Sequence, residues 1–198
     1  LLPSGKMSTR NGEVVLLEDF MESLKKKAVE EITKRHGKIK ELNKLSKTIA
    51  YAALKFTILK VSPDKNITFE IEKALSFEGD SGPYIQYAYT RASSIIKKQK
   101  LVHKPEYSLL NSENELKLIK KLLEFPEIIK ASVANLHTYS IANYALDLAR
   151  IFNEFYHTCQ VLSEDEPLRS TRLKLVMATK QVLQNSLSIL GIDNPDFM

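Results

Sequence analysis

A mainly α-helical bundle is predicted by three features of this 198-residue sequence. Glycine and proline are scarce, at 6 and 7 residues, so few positions interrupt a helix. Apolar residues recur at three- and four-residue spacing through most of the chain. Start and stop signals, such as Ser-x-x-Glu before an apolar run and glycine after one, bracket those runs.

Residues 1–15 are polar and glycine-punctuated. From Leu17 to about Arg35, Leu17, Phe20, Met21, Leu24, Ala28 and Ile32 form one helical stripe, and Gly37 is a natural stop. Lys25, Lys26 and Lys27 fall off that stripe and read as a solvated face. Leu42 to Lys60 makes a second helix, burying Leu45, Ile49, Ala52, Ala53, Phe56 and Leu59. Pro63 and Asn66 then mark a turn, and Ile67, Phe69 and Ile71 alternate as in a short strand or extended segment. A domain boundary is expected near residue 75.

The stretch that organises the rest is Leu75 to Lys98, LSFEGDSGPYIQYAYTRASSIIKK. Gly79, Gly82 and Pro83 break the chain, Asp80 or Ser81 can cap the exposed amides, and a helix follows at once. Tyr84, Tyr87 and Arg91 share one of its faces, while Ile85, Ala88, Ala92 and Ile95 or Ile96 share the other. Lys97, Lys98 and Lys100 close it. Phenol rings beside a guanidinium on a rigid element suit unstacked bases and their phosphates.

Residues 100–110 read as a polar loop with His103 and Pro105. Ser112 and Glu115 form a capping box ahead of Leu116, Ile119, Leu122 and Leu123. Phe125-Pro126 is expected to end that helix and start another running to about Asn135. After a hinge at 137–140, Ser140 caps a helix with Ile141, Tyr144, Ala145, Leu148, Phe152 and Phe155 on one face. An acidic turn at 164–167 precedes a last helix from about Leu168 to Leu190, ended by Gly191.

Composition narrows the function. The chain is 43% hydrophobic and 27% charged, as in an ordinary soluble domain. A net charge of +5 permits a polyanionic partner. No run of about 18 apolar residues is available to span a membrane. Cys159 is the single cysteine, which excludes an internal disulfide and points to a reducing cytoplasm. The four histidines, His36, His103, His137 and His157, have no zinc-site spacing, and no metal ligand set is expected.

The run SFEGDSGPYIQYAYTR resembles the segment that enters the anticodon-binding domain of arginyl-tRNA synthetases. KMSTRNG, Lys6 to Gly12, resembles the second signature loop of class I aminoacyl-tRNA synthetases. YALDLARIFNEFYHTC (Tyr144 to Cys159) and RLKLVMATKQVLQNSLSILGIDNPDFM (Arg172 to Met198) resemble the closing helices of the same domain. The matches are collinear from Lys6 to Met198. Two departures stand out: Thr9 replaces the loop's second lysine, with Arg10 beside it, and Asp196-Phe197 stand where the family more often has Glu-Arg.

The resemblance implies a helical bundle of the DALR anticodon-binding type over 76–198, preceded over 1–75 by the signature loop and a helical junction from the end of a catalytic domain. Lys6, Ser8, Thr9 and Arg10 would gather around ATP phosphates in an intact enzyme that uses ATP, Mg2+ and L-arginine. Tyr84, Tyr87, Arg91, Tyr156 and Met198 would meet the anticodon loop of tRNA(Arg), whose middle base is cytosine. Tyr156 could instead close the core with Phe152 and Phe155. Met198, as a chain end, is expected to contribute little to packing. The histidine-x-glycine-histidine signature and a βαβ nucleotide fold are missing from the sequence, so this monomeric chain is expected to bind tRNA without catalysing. The alternative is a freestanding helical RNA-binding or adaptor module. An upstream coding sequence for a catalytic domain would decide between the two.

Overall fold

The structure, a computed structural model, describes residues 16–37, 39–99, 102–163, 165–195 and 197–198. Seven α-helices follow one another among these residues: α1 Leu17–His36, α2 Leu42–Leu59, α3 Ile71–Ala74, α4 Gly82–Lys98, α5 Glu113–Asn135, α6 Thr138–Thr158 and α7 Glu166–Ile189. A 3-10 turn covers Tyr107–Leu109. The architecture is mainly α, as the periodicity predicts.

Two apolar cores form, and α2 is a wall of both. In the first, Leu24, Ala28 and Ile32 of α1 meet Leu45, Ile49, Ala50 and Ala53 of α2, together with Phe69, Leu75 and Phe77. In the second, Ala52 and Phe56 from the other side of α2 meet α4, α5, α6 and α7. Every residue of the stripe read on α6, from Ile141 through Tyr144 to Phe155, is buried there. Tyr144 also donates its hydroxyl to the Lys121 carbonyl at 2.7 Å, and burial raises its pKa well above the ordinary tyrosine value.

Local departures have identifiable causes. Residues 66–70 form no strand, and the chain turns into α3 at Ile71. The alternation still delivers Phe69 inward, where it meets Phe20 edge-on at 4.9 Å. Helix α5 runs through Pro126 without a break. Pro126 is exposed, so water can take the carbonyl that the missing N–H leaves free. The buried leucine of its first half is Leu118, while Leu116 and Leu123 are exposed. Leu17, expected on the α1 stripe, is also exposed because it opens the helix. His137, not Ser140, precedes α6, and the reversal is made by Leu136 with φ 57°. Asp165 caps α7, accepting the Leu168 amide at 3.0 Å, so that helix starts before Leu168.

The capping box is present and extends beyond its own helix. Ser112 Oγ accepts the Glu115 amide and Glu115 Oε2 accepts the Ser112 amide at 2.9 Å and the Asn111 amide at 3.1 Å. Its other oxygen takes Arg172 Nε of α7 at 2.7 Å. Burial pushes the Glu115 carboxyl up, but the Arg172 guanidinium and the Ser112 donors outweigh it and hold it below the ordinary glutamate value.

Candidate functional site

Helix α4 is set by its first turn. Ser81 Oγ accepts the Tyr84 amide at 3.1 Å, Gly82 is the first helical residue, and Pro83 follows where no amide is needed. Asp80 does not cap. Its carboxylate pairs with Arg150 of α6, and its carbonyl takes Lys60 Nζ at 2.8 Å. Burial lowers the Lys60 pKa, with Arg150 adding to the effect against Asp80. The helix then buries Ile85, Ala88, Ala92 and Ile95 in the second core. That burial turns Tyr84, Tyr87 and Arg91 together toward α6.

They open on a cleft of about 650 Å3 between α4 and α6. Its walls include Tyr84, Tyr87, Arg91, Arg150 and Asn153, with Arg35 and Phe77 on the side of the first core. The Arg91 guanidinium carbon lies over the Tyr87 ring at 4.7 Å and over the Tyr156 ring at 4.8 Å. Arg91 Nη2 also donates to the Tyr87 hydroxyl at 3.2 Å, and Nη1 donates to Asn153 Oδ1 at 2.6 Å. A cation fixed by two rings and an amide, beside an open cleft, offers charge and stacking surface to one unstacked base.

Three of the expected residues, Tyr87, Arg91 and Tyr156, are therefore in direct contact, and Tyr84 shares the cleft wall. Tyr156 is 39% exposed and leaves Phe152 and Phe155 to close the core without it. Met198 stands apart. It packs half-buried against the first core, to which the wall residue Phe77 also belongs, so this chain end does contribute to packing. Gln86, on the opposite side of α4, is fully buried and donates Nε2 to the Asp193 carbonyl at 2.7 Å, tying the C-terminal tail to the helix. Lys6, Ser8, Thr9 and Arg10 lie outside the described residues, as does Lys100.

Sequence reading did not bring Arg35, Phe77, Arg150 or Asn153 to the site. Asn153 had a signal, since it precedes Tyr156 by three residues and so shares its helix face. Arg35 had none, because only the tertiary fold brings α1 to the cleft. Its guanidinium lies 4.6 Å over the Phe77 ring.

The family model of the DALR anticodon binding domain matches residues 85–198, more than half of the chain. This chain belongs to the DALR anticodon-binding domain family. The match covers α4 from its fourth residue through α7 and the tail, so the DALR domain supplies Tyr87, Arg91, Arg150 and Asn153 of the cleft wall and the Tyr156 ring that Arg91 lies against. Arg35, Phe77 and Tyr84 come from residues before the matched DALR segment.

Relatives of the DALR chain extend over nearly its whole length. It is 41% identical over 194 residues to the arginine–tRNA ligase of Methanosphaerula palustris, covering 97% of this chain and 34% of that protein. It is likewise 41% identical over 190 residues to that of Clostridium botulinum strain Alaska E43, covering 95% and 34%. Among solved structures, the Thermus thermophilus arginyl-tRNA synthetase superposes with a TM-score of 0.93 at 32% identity, covering 100% of this chain and 34% of that one. The chain thus spans about a third of the length of the relatives it matches.

Proposed function

We propose that this chain is the anticodon-binding part of an arginine–tRNA ligase, the enzyme that joins L-arginine to tRNA(Arg) with ATP and Mg2+ in the cytoplasm. The observation that carries the reading is the Arg91 guanidinium held against Tyr87 and Tyr156 at the mouth of a cleft in a DALR domain. In this reading Tyr84, Tyr87 and Tyr156 supply ring surface to a flipped base and Arg91 supplies charge. Met198, which packs on the neighbouring core and not in the cleft wall, is assigned to the same anticodon loop. Residues 76–198 are the anticodon-binding unit, and residues 1–75 are its junction with the catalytic part. Lys6, Ser8, Thr9 and Arg10 are assigned to the ATP phosphates of the intact enzyme. The freestanding adaptor is not favoured, since the relatives that cover the chain are ligases.

Binding of the 198-residue chain to tRNA(Arg) tests this. Wild-type protein is expected to prefer tRNA(Arg) over a variant changed only at the middle anticodon base. Tyr87→Ala should lose about 1–3 kcal/mol of binding, the value of one stacked base. Affinity should also fall steeply with added salt, because cationic contacts to phosphate release counterions. Equal affinity for the two RNAs, or a flat salt response, would remove the proposal. The chain alone should show no arginine-dependent ATP–pyrophosphate exchange, because its sequence carries neither a histidine-x-glycine-histidine signature nor a βαβ nucleotide fold. Robust exchange would show that the catalytic residues lie within it.

A further inference from the structure

The geometry points to Asn153 as the residue that reads the base, through a donor aimed at a pyrimidine acceptor edge. This assignment rests on the anticodon-binding reading above and goes beyond it, from where the base sits to how it is told from another.

Three observations carry it. Asn153 is 8% exposed and yet lines the cleft, so its side chain is part of the fixed wall. Its amide oxygen takes Arg91 Nη1 at 2.6 Å. A guanidinium has donors and no acceptor, so the oxygen must face Arg91 and the NH2 group must point away from it. That resolves which end of the amide is which from chemistry alone. No acceptor among the described residues takes the Nδ2 protons.

Two donors of Arg91 and the faces of its plane are spent on holding the wall of the cleft. One of its terminal nitrogens is engaged by Asn153 and the other by the Tyr87 hydroxyl, and its plane lies against two rings. It is a positioning residue: it locks the Asn153 amide and is locked by it. The Asn153 NH2, fixed in direction by that contact, is a donor with no acceptor of its own among the described residues. Cytosine offers a donor an unprotonated N3 beside O2. Uracil carries a hydrogen on N3, and a donor placed there meets another donor. A cleft that presents N–H at the N3 position therefore favours cytosine over uracil, although the two bases have nearly the same shape and both offer O2.

The test uses the whole chain and two RNA hairpins, the anticodon stem-loop of tRNA(Arg) and the same hairpin with uracil as the middle base. Asn153→Asp has the same shape and keeps an oxygen for Arg91, but replaces the NH2 donor by an acceptor. Wild type should favour the cytosine hairpin by about tenfold or more, the size of one well-placed polar contact to a base edge. Asn153→Asp should bring the ratio to about one or below, while salt dependence and melting stay near wild type. Asn153→Ala, which adds no charge, should also lose the preference, and it keeps the test decisive if the aspartate variant folds poorly. Wild-type preference retained in Asn153→Ala would overturn the role of Asn153 and leave the anticodon site standing. No preference in wild type would overturn both.

Discussion

Glu115→Ala is expected to lower the melting temperature by roughly 10 °C, the largest effect of any single change considered for this chain. Glu115 is fully buried, and its carboxylate accepts two backbone amides at the start of α5 and the Arg172 guanidinium from α7. Removing it leaves the Arg172 side chain, only 14% exposed, with its carboxylate gone and the Gln160 carbonyl as its remaining acceptor among the described residues. Breaking such a pair costs about 3–5 kcal/mol. Replacing both partners, Glu115→Ala with Arg172→Met, should recover part of the loss, because no buried charge then stays uncompensated.

The pH dependence has a definite sign. The folded carboxyl titrates below its unfolded value, so its contribution is complete at neutral pH and is lost as the pH falls through the folded value. The gap in melting temperature between wild type and Glu115→Gln should therefore narrow on acidification. A gap that widened, or a double variant no more stable than Glu115→Ala, would contradict this account of the pair.

Gly82→Ala is expected to cost about 3 kcal/mol, although helix propensity alone predicts a gain of about 1. Gly82 has ordinary helical geometry at the start of α4, so the conflict is spatial. A Cβ there would lie 2.7 Å from the carbonyl carbon of Ala52 and 3.0 Å from Phe56 Cβ, and it would press on the Ala52 carbonyl oxygen as well. These are largely backbone atoms in the middle of α2 and cannot swing aside as a flexible side chain would. The first turn of α4 must move instead, and Tyr84 and Tyr87 move with it. Thermal melting and discrimination at the middle anticodon base should both fall in this variant. A melting temperature at or above wild type would show that α4 and α2 cross less tightly than the structure has it.

The parts of this protein that could be read from its sequence are those set within one helix. Ile141 to Phe155 announce a buried face, Ser112 with Glu115 announces a cap, and Tyr87 with Arg91 announces one polar-aromatic face. Each needs only the pitch of a helix. Pro126 misleads because its cost depends on which side faces water, and a proline on the wet side leaves a carbonyl that solvent can satisfy. Ile67, Phe69 and Ile71 are legible only as a short strand or an extended segment, because alternation reports burial of alternate side chains and not a ladder; among the described residues no strand forms. Arg172 lies 57 positions from Glu115, and Asn153 lies 62 from Arg91, so neither pairing could be seen before the chain was folded. Tyr156 was reachable by resemblance, and Arg35 by neither route.

The position of α2 between two cores has a mechanical consequence. A helix is stiff, so it cannot tilt on the side of Leu45 and Ile49 while holding still on the side of Ala52 and Phe56. Among the described residues, α2 therefore cannot leave one core without disturbing the other. Arg35 and Phe77, on one side of that helix, and Tyr87 and Arg91, on the other, keep their spacing because they hang from a single beam. Loss of α2 would open both cores together, and melting followed by one probe in each core is expected to give coincident transitions for that step.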